Sequence, residues 1–95
     1  MNNPLKQSVD DMIAYLLSLC ESHGALSLEN GIPDKDEDLI INGRIDSMGL
    51  VYMQSVIENE FSIELPIAIL ITELRTIHLI ATHLVESGTF KQKIL

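Results

Sequence analysis

The chain has 95 residues, 46% hydrophobic and only 4% aromatic, with fourteen acidic side chains against six basic ones and a net charge of −8. That length suits one domain, 1–95, around one core of Leu, Ile, Val and Met, and the apolar content is too high for a disordered chain. The acidic balance repels phosphate backbones and anionic headgroups, which excludes nucleic acid and anionic membrane and favours a basic protein surface; the same charge also serves plain solubility.

One cysteine, Cys20, leaves no partner for an internal disulfide and no Cys-based zinc site. Its apolar neighbours predict a buried small hydrophobe. The opening Met1-Asn2-Asn3-Pro4-Leu5-Lys6 lacks the basic start and apolar core of a signal peptide. No apolar run approaches the ~20 residues that span a bilayer. The expectation is a cytoplasmic, non-membrane monomer.

Helical periodicity begins at once. Val9, Met12, Ile13, Leu16, Leu19 and Cys20 recur at steps of three and four, opposite Asp10, Asp11, Ser18 and Glu21. This predicts helix I over about 5–23, with Asp10 and Asp11 early enough to favour its dipole and Gly24 as its stop. From 24 to 46 the pattern dissolves into a loop. Asn30-Gly31, Pro33-Asp34 and Asn42-Gly43 are turn signals, and Asp34-Lys35-Asp36-Glu37-Asp38 reads as a solvated charged run. Leu26, Leu28, Ile32, Leu39 and Ile40 are spaced as anchors that pin this long loop to the bundle. Loops of that length are often functional.

Helix II is predicted over about 47–60, with Leu50, Met53, Ile57 and Phe61 as its buried stripe and Asp46 as its cap. Pro66 breaks the chain. A short helix III fits 67–73, and helix IV fits 76–87, with Ile77, Ile80, Ala81 and Leu84 inward, Gly88 as its stop and 88–95 as a tail. The fold class is all-α, four helices with a long first loop and a short third helix.

Enzyme machinery is hard to find, and no residue is assigned as catalytic or metal-binding. Gly43-Arg44-Ile45-Asp46-Ser47-Met48-Gly49 is not a G-x-S-x-G elbow, and an all-helical chain lacks the strand that elbow needs. His78 and His83 lie five apart, about 140° around a helix, and His23 has no partner in sequence, so surface or boundary roles fit all three. There is no glycine-rich phosphate loop. What remains is Ser47 at the start of a helix, preceded by Asp46. A helix N-terminus suits a phosphate esterified there; the plainer alternative is that Asp46 and Ser47 only cap the helix.

A longer stretch carries a resemblance. Asp46-Ser47-Met48-Gly49-Leu50-Val51, then Glu58-Asn59-Glu60-Phe61-Ser62-Ile63-Glu64-Leu65-Pro66 and Thr76-Ile77, with Gly43 ahead of the aspartate, resembles the acyl carrier protein family over about residues 39–85. The resemblance implies a four-helix acyl-carrier-like bundle whose Ser47 holds a 4′-phosphopantetheine arm taken from coenzyme A by a phosphopantetheinyl transferase. It implies that Asp46 is both cap and a contact for the transferase's metal. The arm would carry an acyl or aminoacyl group as a thioester, loaded by an adenylating enzyme or acyl ligase and passed to a downstream transferase, synthase or thioesterase. Helix II would be the recognition helix, presenting Met48, Val51, Tyr52 and Ser55 to partners. Gly49 and Tyr52 stand where fatty-acid-synthase carriers have acidic residues, and Ile67-Ala68-Ile69-Leu70-Ile71 replaces their acidic third helix. The pattern is more similar to D-alanyl and free-standing aminoacyl or peptidyl carriers, and implies a dedicated biosynthetic pathway. A carrier-fold or other helical protein-interaction module with an unmodified Ser47 is the alternative.

Overall fold

The computed structural model of the protein describes residues 4–29 and 31–87, with side chains described from Ser8 onward. Asn30 and residues 88–95, including the predicted Gly88 stop and the tail, lie outside the described residues. The described chain is all-α: α1 (Pro4–His23), α2 (Ser47–Phe61), α3 (Ile67–Thr72) and α4 (Ile77–Glu86). α1 packs along α4, and α2 contacts α3.

Pro4 opens α1, where its missing amide is one of the unpaired donors of the first turn in any case. Because the helix starts there, Asp10 and Asp11 lie beyond the first turn, which holds no acidic residue. The predicted dipole role for them is corrected, since that effect fades within one turn. Val9, Met12, Ile13, Leu16 and Cys20 are buried, and Leu19, at the edge of the stripe, is half-buried. Gly24 then takes a left-handed φ of 66°, which costs a glycine nothing, and the Ala25 amide closes the helix end on Cys20 O at 2.9 Å.

The loop from 25 to 46 is more ordered than a solvated connection. Ala25, Leu26, Leu39 and Ile45 enter the core, with Leu28 and Ile40 packed against it. Ile32 departs from the anchor role and is 65% exposed, while its neighbour Pro33 is buried. In the charged run Asp34, Lys35 and Asp36 are exposed, as a solvated run requires, but Glu37 and Asp38 are half-buried: Glu37 pairs with Arg44 at 2.7 Å, Asp38 with Arg75 at 2.9 Å, and exposed Asp36 meets His78 at 3.0 Å. Backbone bonds from Leu39 N to Arg75 O and from His78 N to Lys35 O, each 2.9 Å, fasten the loop to the start of α4.

α2 buries Leu50, Met53, Ile57 and Phe61, and also Val56. It ends at Phe61, one residue past the predicted end, because Ser62 turns left-handed at φ 56°. The chain then folds back: Glu58 Oε2 accepts the Leu65 amide at 2.7 Å, and Gln54 Nε2 donates to Leu65 O at 2.7 Å. Those two side chains satisfy both backbone groups of a fully buried Leu65. α3 stops at Thr72, one residue short of its predicted end, and Glu73 is its cap residue. In α4, Thr76 is the cap rather than the first helical residue; its hydroxyl accepts the Leu79 amide at 3.0 Å. Ile77, Ile80, Ala81 and Leu84 line the core, and the helix closes at Glu86, one residue before the predicted end.

Candidate functional site: the start of the second helix

Three residues in succession set the start of α2. Ile45 is 6% exposed and anchors the chain in the core. Asp46 is extended (φ −100°, ψ −175°), and its Oδ1 accepts the Gly49 amide at 2.7 Å. Ser47 is the first helical residue and is exposed. The backbone oxygen of Asp46 accepts the Leu50 amide at 2.9 Å, so the helix is hydrogen-bonded from its first turn. An exposed serine therefore sits at the positive end of a fifteen-residue helix, directly after a residue buried in the core.

Beside it lies a cleft of about 260 Å³, lined by Gly24, Ala25, Ser27, Gly43, Ile45, Asp46 and Gly49 among others. It lies where the chain just after α1 meets the end of the loop, the Ser27 amide donating to Arg44 O at 2.7 Å. Gly49 stands close against the two residues that lead into α2. A Cβ at that position would lie 2.8 Å from Ile45 Cγ1 and 3.2 Å from Asp46 Oδ1. The sequence pattern marked Gly49 only as a neutral residue and Arg44 only as part of the stretch before Ser47, and gave neither a structural role. The available signals were a glycine inside a helix, where propensity disfavours it, and one of only six basic side chains placed just before Asp46.

The four residues expected on the outer side of α2 are all exposed, with Met48 at 82%, Val51 at 54% and Tyr52 at 44%. Tyr52 is not free-standing. Its hydroxyl lies 3.5 Å from Nδ1 of His23, at the end of α1, and the two rings meet edge to face. His23 thus has a neighbour across the helices that linear sequence hides. His78 and His83 are not brought to a common point, and among the described residues no three of His, Cys, Asp and Glu cluster as a metal site would require. Cys20 is buried, and burial pushes its thiol up to about 11, which keeps it protonated and unreactive at neutral pH.

The phosphopantetheine attachment site family model matches residues 24–84, nearly two thirds of the chain. The chain belongs to that family. Its members carry a covalently attached 4′-phosphopantetheine and are in general non-catalytic carriers that work with a phosphopantetheinyl transferase and partner enzymes. No curated protein and no solved structure matches the chain at a significant level. The matched span runs from Gly24, at the end of α1, to Leu84 in α4, and so contains the loop, the cleft, α2 and α3. The residues at the start of α2 fit such a group: an exposed serine at the first helical position, the positive end of the helix and an adjoining open cleft. No helix among the described residues is long and apolar enough to cross a membrane.

Proposed function

We propose that Ser47 is the attachment residue and that the protein is a carrier of acyl or aminoacyl groups in a dedicated biosynthetic pathway. The observation that carries this reading is the exposed Ser47 hydroxyl at the first position of α2, directly after a capping Asp46, within a chain of the phosphopantetheine attachment family. In the transfer, Ser47 Oγ forms the new bond to phosphorus, the pyrophosphate bond of coenzyme A breaks, adenosine bisphosphate leaves and the serine proton passes to a base of the transferase. When bound, the arm supplies a distal thiol on which cargo rides as a thioester.

The chain's own part is placement. The Asp46 cap holds the first turn, and Asp46 itself, exposed beside the hydroxyl, contacts the transferase's metal. Met48, Val51, Tyr52 and Ser55 form the docking surface. It is an apolar patch beside the attachment point, surrounded by an acidic chain that steers a basic partner. A loading adenylating enzyme or acyl ligase, and a downstream transferase, synthase or thioesterase, dock there in turn. Neutral Gly49 and Tyr52, together with the apolar α3, support aminoacyl or other dedicated cargo over general fatty-acid synthesis. The D-alanyl and free-standing aminoacyl or peptidyl carriers are the subclass this pattern favours.

The test is incubation with coenzyme A and a broad-range phosphopantetheinyl transferase, read by intact-protein mass spectrometry. The expected result is one added phosphopantetheine, absent in Ser47→Ala. An unmodified wild-type chain, under conditions that convert a control carrier, would leave only a carrier-fold interaction module.

A further inference from the structure

Arg44 stands three residues before Ser47, and its guanidinium is among the most enclosed charged groups described, with 11% of the side chain exposed. It contacts three separate parts of the loop. Nε lies 2.7 Å from Glu37 Oε2 and Nη2 lies 3.4 Å from Oε1, while Nη1 donates to Ser27 O at 3.1 Å and to Gly31 O at 2.5 Å. The same residue's backbone completes the brace. Its amide donates to Leu39 O at 2.9 Å, and its carbonyl accepts the Ser27 amide at 2.7 Å. The start of the loop, its acidic turn and its final strand of chain therefore converge on one side chain.

The segment that follows is short. Ile45 is buried, Asp46 is the cap, and Ser47 comes next. This three-residue step is held at its far end by the helix cap and at its near end by Arg44. We infer that Arg44 is a positioning residue for modification of Ser47. By cross-bracing residues 27–44 it holds the approach to α2 in the one arrangement that presents the hydroxyl outward. This inference rests on Ser47 being the attachment residue. The planar fork explains the residue type: one guanidinium serves a carboxylate and two carbonyls at fixed angles, which a lysine's single ammonium does not reproduce.

A brace of this kind acts through the population of the presenting state. When only a fraction of molecules present the hydroxyl correctly, apparent affinity falls by that fraction, while the rate from the correctly docked complex is unchanged. The experiment measures steady-state modification of wild type, Arg44→Gln, Arg44→Lys and Glu37→Gln by the same transferase, with helix content followed by circular dichroism and amide exchange by mass spectrometry. Arg44→Gln is expected to raise KM for the carrier about tenfold with kcat within about twofold. Arg44→Lys and Glu37→Gln should give smaller rises. Exchange should quicken over residues 39–46 while α1 and α4 remain protected. A variant with wild-type KM despite a loosened loop would overturn the inference, as would a loss confined to kcat or a collapse of helix content in Arg44→Gln. Those outcomes leave the attachment reading standing, because the wild type is still modified; a wild type that accepts no arm sinks that reading itself, and this inference with it.

Discussion

The Cβ that Gly49 lacks would stand 2.8 Å from Cγ1 of Ile45, closer than real side-chain contacts come. Ile45 is 6% exposed, and its Cγ1 is not the far end of a flexible side chain, so it yields only if the side chain shifts within the core. Ala normally stabilises a helix interior relative to Gly by about 1 kcal/mol, whereas forcing a methyl into a packed site costs about 1–3 kcal/mol. The second effect wins here. Gly49→Ala should lower the thermal midpoint despite its better helix propensity, and a calorimetric scan against wild type decides the sign.

Asp46 has two separable roles. Asp46→Ala removes the acceptor for the Gly49 amide and should cost about 1 kcal/mol, the usual value for a lost cap. Asp46→Asn keeps a side-chain oxygen for that amide and should leave stability within a few tenths of a kcal/mol of wild type, but it removes the negative charge proposed to meet the transferase's metal. Urea melts paired with modification rates should therefore show Asn folded yet poorly modified. An Asn variant modified at the wild-type rate would reduce Asp46 to a cap alone.

Phe61 is 4% exposed and meets the ring of Tyr15 edge to face, with centroids 5.9 Å apart. Tyr15 in turn donates its hydroxyl to Glu60, so α1 and α2 are joined here by both an apolar and a polar contact. Phe61→Ala should cost about 3–5 kcal/mol, comparable to the whole stability of a small domain. Chemical denaturation should show a native baseline that is short or missing. Tyr15→Phe keeps the ring contact and should cost far less.

The Asp38 carboxyl is held below its ordinary range, first by the Ile41 amide, which it accepts at 2.8 Å, and further by Arg75 and the Ile40 amide. A depressed folded value means that the unfolded chain takes up the proton first on acidification. The contribution is complete above the unfolded value of about 3.9 and is lost as pH falls through the lower folded value. Stability followed from pH 7 downward should thus drop below about pH 4, with a shallower drop in Asp38→Asn. Identical acid limbs for the two proteins would show that Asp38 does not contribute.

Tyr52→Glu tests the docking surface. Tyr52 is 44% exposed, and its main described contact is the long one to His23, so folding and modification of Ser47 should be unchanged. Loading or transfer by a partner enzyme should weaken about tenfold, the scale of a lost aromatic anchor. Unchanged rates at every partner step would remove Tyr52 from the interface.

Some of this protein was written in local pattern. Spacings of three and four residues are a property of one helix, and so Leu50, Met53, Ile57 and Phe61 could be assigned to a buried stripe without knowledge of their neighbours. The cap at Asp46 and the exposed serine after it are equally local, since both depend only on where α2 begins. Contacts between distant segments were not legible in the same way. Charge order along 34–38 resembles any solvated run, and only the fold shows Glu37 meeting Arg44, Asp38 meeting Arg75 and Asp36 meeting His78. Glu58 looks like an ordinary helix-surface acid until the chain returns and offers it the Leu65 amide. Periodicity specifies which face of a helix is apolar; it carries no information about which polar groups meet, whether seven residues apart, as in Glu37–Arg44 and Glu58–Leu65, or 37 and 42 apart, as in Asp38–Arg75 and Asp36–His78. Those pairings, and the burial that holds the Ile45 side chain against position 49, were decided by the tertiary structure.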